Sequence, residues 1–590
     1  MTTTTTTTTT DQEALPAWLG WVRLAIGLAQ GLAFYLITDH QDAFSDDVRT
    51  ALLTTIVFVP VLVVGGLGAF RLTTLGAWIA VATLIAAGLS WYEVSRLGGE
   101  NRYSGGPQAV YFVVPVLLFV GHHLVQAADE ARRWFAPYER YFDLGWRHGA
   151  QLLLAILFTG AFWAVLGLGA SLFNLIGITF LMELIQKGWF AMPATCGVFA
   201  AAIHLTDLRS GLVRGARALG LVLLSWLLPA MAGLAAAFFV ALPFAGLEPL
   251  WATRAATTIL LSAAGVLVVL INAAYQDGVH TPGGILRWSA RVAAVLMTPL
   301  AALAAYALYL RIDQYGLTPD RIYATAVLTI GICYAISYAI GAFSPRWMKP
   351  LEAGNIASAF AVILVALALF SPIADPARLS VNDQMRRFRA GITSPEQLDL
   401  TFLRFEGARY GREALRALAA DQSTEQARAL SERVETALAA HAPYELAPDF
   451  NGAEPRAFLA MRPETTPMPE GLADVLNRVT VGMCTEERPC SVLLRDVNGD
   501  GVDEALVGSE YVMWIYARSG DEWRQVGTVQ FRGGPTPELA EAIRSGDVQV
   551  VPALIGDLVI DGRRVAVTPE YGVNDWPAPR AADDAPAPSR

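Results

Sequence analysis

About eleven runs of apolar residues, each close to the length of a membrane-spanning helix, fill the first 372 of 590 residues. They lie near 21–38, 50–69, 73–92, 108–127, 149–171, 188–206, 218–243, 254–275, 291–310, 322–343 and 355–372. Crossing the hydrocarbon core takes roughly 20 residues of helix, and in lipid every backbone N–H and C=O must be bonded within the segment. The chain therefore reads as a polytopic α-helical membrane bundle followed by a small soluble α+β domain. One stretch resists this pattern: 172–187, LFNLIGITFLMELIQK, is short and carries Glu183 and Lys187. It reads as a re-entrant or interfacial helix, with Glu183 and Lys187 paired at i, i+4.

Charge locates the seam between membrane and soluble parts. Residues 1–372 hold 20 of the 43 basic and 19 of the 53 acidic residues, so the remainder carries a net charge of −11. An acidic tail offers no Lys/Arg face to phosphates, which excludes a nucleic-acid partner. The expected layout is a disordered Thr-rich start over 1–17 and a transmembrane domain over 18–372. A helical extracytoplasmic segment (373–442), a Pro-rich linker (443–477), an α+β domain (478–573) and a disordered tail (574–590) follow. Residues 2–10 are an unbroken Thr tract with no basic region before the first apolar run, unlike a signal peptide.

Lys and Arg are retained in cytoplasmic loops. Alternate loops hold 12 basic residues, 13 with Arg23, and the opposite set holds seven. This places the N-terminus in the cytoplasm and, with an odd number of spans, the C-terminal domain outside, in the periplasm of a bacterial inner-membrane protein. Cys484 and Cys490 bracket TEERP in that domain; an oxidising compartment favours a disulfide between them, with two free thiols as the alternative.

The loop DVNGDGVDE places Asp496, Asn498 and Asp500 at alternate positions, Gly501 sixth, Val502 seventh and Glu504 ninth. Side-chain oxygens at that spacing, with the Val502 carbonyl, can converge on a structural Ca²⁺ while glycine allows the turn. A metal-free turn, its Asp and Asn side chains capping their own backbone, is the alternative. Val507 stands where an EF-hand has its twelfth-position Glu, so flanking strands rather than helices are expected; the loop resembles the FG-GAP or VCBS type.

In AADEARRWFAPYERYFDLGWRHGAQLL, residues 127–153, Arg132, Arg133, Arg140 and Arg147 alternate with six aromatic residues. That is the pattern of an interfacial helix with rings at headgroup level and guanidinium groups toward anionic lipid. The block PYERYFDLGWRHGAQLLLAILFTGAFWAVLGLGASLFNLIGITF, with VRLAIGLAQGLAFYLI, the pair Trp91–Tyr92 and RWSARVAAVLMTPLAALAAYALYLRIDQYGLTPDRIYA, resembles the bacterial inner-membrane family known as domain of unknown function forty-one fifty-three. The resemblance covers about residues 18–372. It implies a polytopic membrane protein and supplies no catalytic residues.

Polar residues inside spans are the default functional suspects, because lipid makes them costly. His122, His123, His204 and Asn272 are the candidates here. Adjacent histidines diverge by about 100° on a helix, so His122 and His123 do not form a chelating pair. A second candidate is the outer turn RIDQYGLTPDR, with Arg311, Asp313, Tyr315, Asp320 and Arg321, where Thr318 and Pro319 suit a helix start. No P-loop, Rossmann fingerprint, HExxH or GxSxG is present. The leading expectation is a non-enzymatic role in small-solute transport or envelope maintenance. The alternatives are a membrane-anchored sensor that meets an envelope partner through its periplasmic domain, and a transferase acting on lipid-linked substrates at the outer turn.

Overall fold

The computed structural model describes residues 16–97, 108–253, 255–279, 281–440, 443–446, 459–479, 484, 490–508, 512–520, 522–530, 543, 545, 548, 558–560 and 563–565. The expected Thr-rich start, but for residues 16 and 17, and the expected tail over 574–590 fall outside these. The chain divides into a unit spanning residues 1–439 and another spanning 440–590.

Among the described residues of the first unit, eleven helices are long and apolar enough to cross a membrane. They are α1 (Ala17–Asp39), α2 (Asp46–Gly66), α3 (Leu72–Ser95), α4 (Gln108–Ala131), α5 (Tyr138–Leu175), α7 (Gly188–Leu208), α8 (Ser210–Ala245), α10 (Ala256–Tyr275), α11 (Gly284–Tyr315), α12 (Pro319–Ala342) and α13 (Pro350–Leu369). Two short helices, α6 (Phe180–Gln186) and α9 (Glu248–Ala252), sit in connections. At 1.5 Å per residue, the seven residues of α6 cover about 10 Å, a third of a hydrocarbon core. The stretch 172–187 thus does not add a span. Glu183 accepts a hydrogen bond from Thr179 (2.7 Å) instead of pairing with Lys187; α6 ends at Gln186 and Lys187 is extended, so i, i+4 geometry lapses there.

Three helices are much longer than a bilayer requires: α5 has 38 residues, α8 36 and α11 32. Each begins seven to eleven residues before its apolar run, in turns that carry Arg140 and Arg147, Arg214 and Arg217, or Arg287 and Arg291. The interfacial helix expected within 127–153 is therefore not a separate element: residues 127–131 end α4, and 138–153 are the first part of α5. Its charges are held within the bundle end: Arg217 bonds Asp143 (2.5 Å) and lies over the Phe142 ring.

Small residues set the helix spacing, as they do where lipid supplies no hydrophobic drive to associate. Along α11, Ala290, Ala293, Ala294 and Ala304 are fully buried beside Leu267, Ile271 and Tyr338. Between α1 and α7, a methyl group added at Gly27 or Gly31 would meet the Cys196 or Met192 carbonyl oxygen at 2.5 or 2.4 Å. The spacing of these glycines is the close-contact pattern GxxxG.

After α13 the chain forms α14 (Pro376–Arg389), a π turn over Phe402–Glu406, α15 (Ala408–Ala419) and α16 (Glu425–Ala439). Thr424 caps α16, accepting from Ala427 N (3.0 Å).

Among its described residues, the second unit holds a five-stranded sheet of order β1-β2-β3-β4-β5, built from Leu459–Arg462, Cys490–Arg495, Glu504–Gly508, Val512–Ser519 and Glu522–Gln530. β1 runs parallel to β2 and the rest is antiparallel. The helix α17 (Leu472–Val479) buries Leu472 and Leu476 with Val492, Val507 and Tyr516. A small hairpin pairs β6 (Leu558–Ile560) with β7 (Arg563–Val565). The sheet thus begins inside 443–477, the stretch expected as a linker. Its prolines flank β1 without interrupting it, and a four-residue strand gives too little alternation to read.

Candidate functional site in the helical bundle

Asn272 of α10 sits in a closed ring of hydrogen bonds drawn from four helices. Tyr138 Oη of α5 donates to Asn272 Oδ1 (3.1 Å), and Asn272 Nδ2 donates to Tyr338 Oη of α12 (2.6 Å). Tyr338 Oη donates to Asn355 Oδ1 of α13 (2.7 Å). Asn355 Nδ2 returns to Tyr138 Oη (3.0 Å) and to Asn272 Oδ1 (2.6 Å). The remaining amide hydrogen of Asn272 goes to the Val268 carbonyl (2.9 Å). Every amide hydrogen and phenol proton has an acceptor, which is what makes such a group tolerable in lipid.

The ring forms one wall of a cavity of about 490 Å³ between α4, α5, α10, α12 and α13. Phe119, Phe142, Trp146 and Tyr334 supply aromatic faces, and Asn272, Asn355 and His123 supply polar edges. Its lining holds no Asp, Glu, Lys or Arg among the described residues.

His123 connects this cavity to a second polar group. Its Nδ1 lies 2.6 Å from the Phe119 carbonyl, so Nδ1 carries the proton and Nε2 accepts from His148 Nδ1 at 3.0 Å. His122 accepts from Trp78 Nε1 (3.2 Å) and faces Phe70, with its ring 5.9 Å from that of His123 and 6.2 Å from that of His148. The divergence of the adjacent histidines is as their helical positions require, while His148, one helix away, is the partner that sequence reasoning missed. It sits beside Arg147 in a stretch read as a headgroup anchor.

His204 belongs to a different cluster. It packs on Gly20 and its Nδ1 lies 3.4 Å from Arg23 Nη1. Arg23, only 2% exposed, also bonds Asp207 (2.6 Å) and the Leu67 carbonyl (2.8 Å). Gln151 adds a bond to Asp207 (2.9 Å). This cluster fastens α1, α2, α5 and α7 together.

At the opposite end, the turn over residues 311–321 is occupied by its own chain. Leu317 N donates to Asp383 Oδ2 (2.8 Å), and Arg387 reaches the carbonyls of Asp313 and Gln314 (3.2 Å each). Arg321 bonds the Gly316 carbonyl, and Arg311 and Arg321 flank the Tyr315 ring at 5.7 and 5.5 Å. Asp320 lies in the first turn of α12, behind the Thr318 cap. The five candidate residues are thus arranged as a turn covered by α14.

Beside it lies a buried lock absent from the sequence reading. Arg96 bonds both oxygens of Glu93 (3.0 and 2.7 Å) and Asp375 (3.3 Å). Tyr92 Oη donates to Asp375 (2.7 Å), which also caps α14 through Ala377 N (2.9 Å). Burial works against the charge on Arg96, and Glu93 and Asp375 outweigh it, holding its pKa above the ordinary value. The readable signals were Glu93 and Arg96 at i, i+3 after an apolar run and Asp375 before Pro376.

In the second unit, Cys484 and Cys490 form a disulfide. The loop between β2 and β3 is closed by its own groups. Asp496 accepts from Gly499 N (2.7 Å) and Gly501 N (2.9 Å), and Asp500 Oδ1 accepts from Val502 N (2.8 Å). Asn498 Nδ2 donates to Asp500 Oδ2 (3.0 Å) and Glu504 Oε1 (2.7 Å). The Asn498 amide hydrogens thus meet the carboxylates that a cation would need, and in this geometry the turn is self-capped. Among the described residues no group of three or more His, Cys, Asp or Glu is placed to hold a metal ion.

A family model described as Domain of unknown function (DUF4153) matches residues 50–419. The chain belongs to this family. The DUF4153 match begins at the start of α2 and runs past the last membrane helix, so α14 and α15 lie within it. Of the resemblance read over 18–372, residues 18–49 lie outside the match, which extends further at the C-terminal end, and the lock around Asp375 joins two parts of one DUF4153 region. Neither a curated protein nor a solved structure matches the chain.

Proposed function

We propose that this protein binds a small uncharged amphipathic solute in the cavity beside Asn272 and moves it across the membrane. The observation that carries the reading is the cavity itself: about 490 Å³, with aromatic walls, a neutral amide and phenol edge, and no charged lining residue among those described. That size and lining suit a small organic ligand, and desolvating an ion against them would be costly. The hydrogen-bonded ring favours gating: opening it exposes amide donors and acceptors to a solute, and closing it satisfies them internally.

The orientation that accompanies this proposal is an inner-membrane protein with a cytoplasmic N-terminus and a periplasmic C-terminal domain. It is supported by the loop arginine count and by the arginine-bearing extensions of α5, α8 and α11 at one end. Calcium in the 496–504 loop is a separable proposal: the donor set suits a hard cation once the Asn498 amide turns its oxygen inward. Association of α14 with the outer turn also keeps a sensor role open to test, since a load on the C-terminal segment would reach α11 and α12 directly.

The test is counterflow into proteoliposomes with a radiolabelled panel of uncharged probes, comprising monosaccharides, polyols, neutral nucleosides and indole. Wild-type protein is expected to accumulate at least one probe, and Asn355→Leu and Trp146→Ala to abolish that accumulation. Uptake equal to protein-free liposomes across the panel would overturn the proposal.

A further inference from the structure

A larger cleft, about 800 Å³, lies on the other side of Leu124, between α3, α4 and α13. Its floor is apolar, with Val125, Ala128 and Phe360, and Phe135 closes one end by an edge contact to Phe360 at 6.0 Å. Its rim is cationic. Arg71 is neutralised in place, with Nε 2.6 Å from Asp129 Oδ1 and Thr74 bonding the same oxygen (2.8 Å). Arg132 and Arg133 have no such partner: both are exposed, line the cleft and make no side-chain ion pair or hydrogen bond among the described residues. The rim therefore carries two uncompensated positive charges over an apolar channel.

The backbone is bent to make this arrangement. Arg132 has φ of 55°, in the left-handed region that residues with a Cβ rarely adopt. Consecutive side chains on a continued helix would diverge by about 100°. Ending α4 with a left-handed residue instead lets Arg132 and Arg133 line one cleft, with Trp134 beside them. A general interfacial anchor needs arginine at the surface and no groove. A cleft with apolar floor and paired guanidinium rim matches a molecule that is apolar along its length and anionic at its head.

We infer that this cleft is a binding site for an anionic glycerophospholipid, with an acyl chain on Val125, Ala128 and Phe360 and the phosphate on Arg132 and Arg133. Charge complementarity selects the occupant: a zwitterionic phospholipid brings a cationic group to a rim that already holds two, whereas an anionic one leaves the phosphate charge to the arginines. The site is separate from the Asn272 cavity and stands whether or not that cavity carries solute.

The test is native mass spectrometry of delipidated full-length protein, titrated with phosphatidylglycerol or phosphatidylcholine of identical acyl chains. Wild-type protein is expected to retain phosphatidylglycerol at least fivefold better than phosphatidylcholine. Arg132→Gln with Arg133→Gln should abolish the preference without lowering the melting temperature of the lipid-free protein, since neither side chain is bonded. Ala128→Trp, which fills the floor and keeps both arginines, should also lose retention. Equal retention of the two lipids by wild type, unchanged preference in either variant, or displacement of bound phosphatidylglycerol by millimolar inorganic phosphate would each overturn the inference.

Discussion

Asn355 donates an amide hydrogen to Asn272 Oδ1 across 2.6 Å, joining α13 to α10 inside a ring that Tyr138 and Tyr338 complete. Because the ring is fully satisfied, removing one member leaves its partners unpaired in a low-dielectric interior, which costs about 1–3 kcal/mol. Asn272→Leu is expected to lower stability by about that amount. Adding Asn355→Leu should cost less than the sum of the single changes, because the second removes a group already orphaned. Thermal unfolding of the four proteins of the cycle in one detergent checks this; strict additivity would argue that the ring is not an energetic unit.

A second expectation concerns helix spacing. Gly27 and Gly31 face the α7 backbone with no room for a methyl group, whereas Gly76 on α3 has nothing within 4 Å of an added Cβ. Gly31→Leu should therefore destabilise the bundle by about 1–3 kcal/mol, the usual range for overpacking. Gly76→Leu should be near neutral. Comparing the two by thermal unfolding separates close packing from general apolarity; equal effects would contradict the assigned α1–α7 contact.

The third concerns the lock around Asp375. Asp375 is fully buried, faces Arg96 and caps α14. Asp375→Ala leaves a buried guanidinium with Glu93 as its remaining partner and removes the cap. Breaking a buried pair costs about 3–5 kcal/mol. Asp375→Asn keeps an acceptor for the cap and for Arg96, so its loss should be smaller. Limited proteolysis within 390–424 reports both: cleavage is expected to be fastest in Asp375→Ala, intermediate in Asp375→Asn and slowest in wild type.

The helical class and the number of spans were legible in the sequence because a bilayer imposes one length and one backbone solution on every crossing. The ends of the helices were less so. The first turns of α5, α8 and α11 carry Asp143 with Arg140 and Arg147, Arg214 with Arg217, and Arg287 with Arg291, and charge in a linear reading looks like loop. Only the fold shows Arg217 returning to Asp143. Asn272 was identifiable as costly in lipid, but its partners lie 134, 66 and 83 residues away, and no local period connects them. Asp375 and Arg96 each carry a local signal, but their pairing across 279 residues was invisible for the same reason. The 496–504 loop shows the opposite limit: the donor spacing is local and plain, yet the same oxygens serve a cation or their own backbone amides.

The disulfide gives a direct chemical expectation. The chain has four cysteines, of which Cys196 and Cys333 are free and Cys484 and Cys490 are joined. Protein denatured without reductant should take two polyethylene-glycol maleimide adducts, and reduced protein four. Four adducts without reduction would place both thiols free in the purified protein and remove the support that the pair lends to an oxidising compartment.

The last expectation tests the orientation, and it follows from α6. Seven residues cannot cross the membrane, so the eleven candidate crossings among the described residues are odd in number, and the proposed orientation has the chain end on the side opposite its start. The arginine-rich loops then lie with the N-terminus, and Arg346 between α12 and α13 lies on that side, while Ser423 before α16 lies across the membrane. In a background with Cys196→Ser and Cys333→Ser, where the disulfide leaves no reactive thiol, Ser423→Cys should react with a small membrane-impermeant maleimide in intact cells. Arg346→Cys should react only after the inner membrane is opened. The reversed pattern would keep the odd span count and invert the protein, placing the Cys484–Cys490 domain in the cytoplasm. Reaction of both positions in intact cells would break the parity itself, since α13 would then fail to separate the two residues.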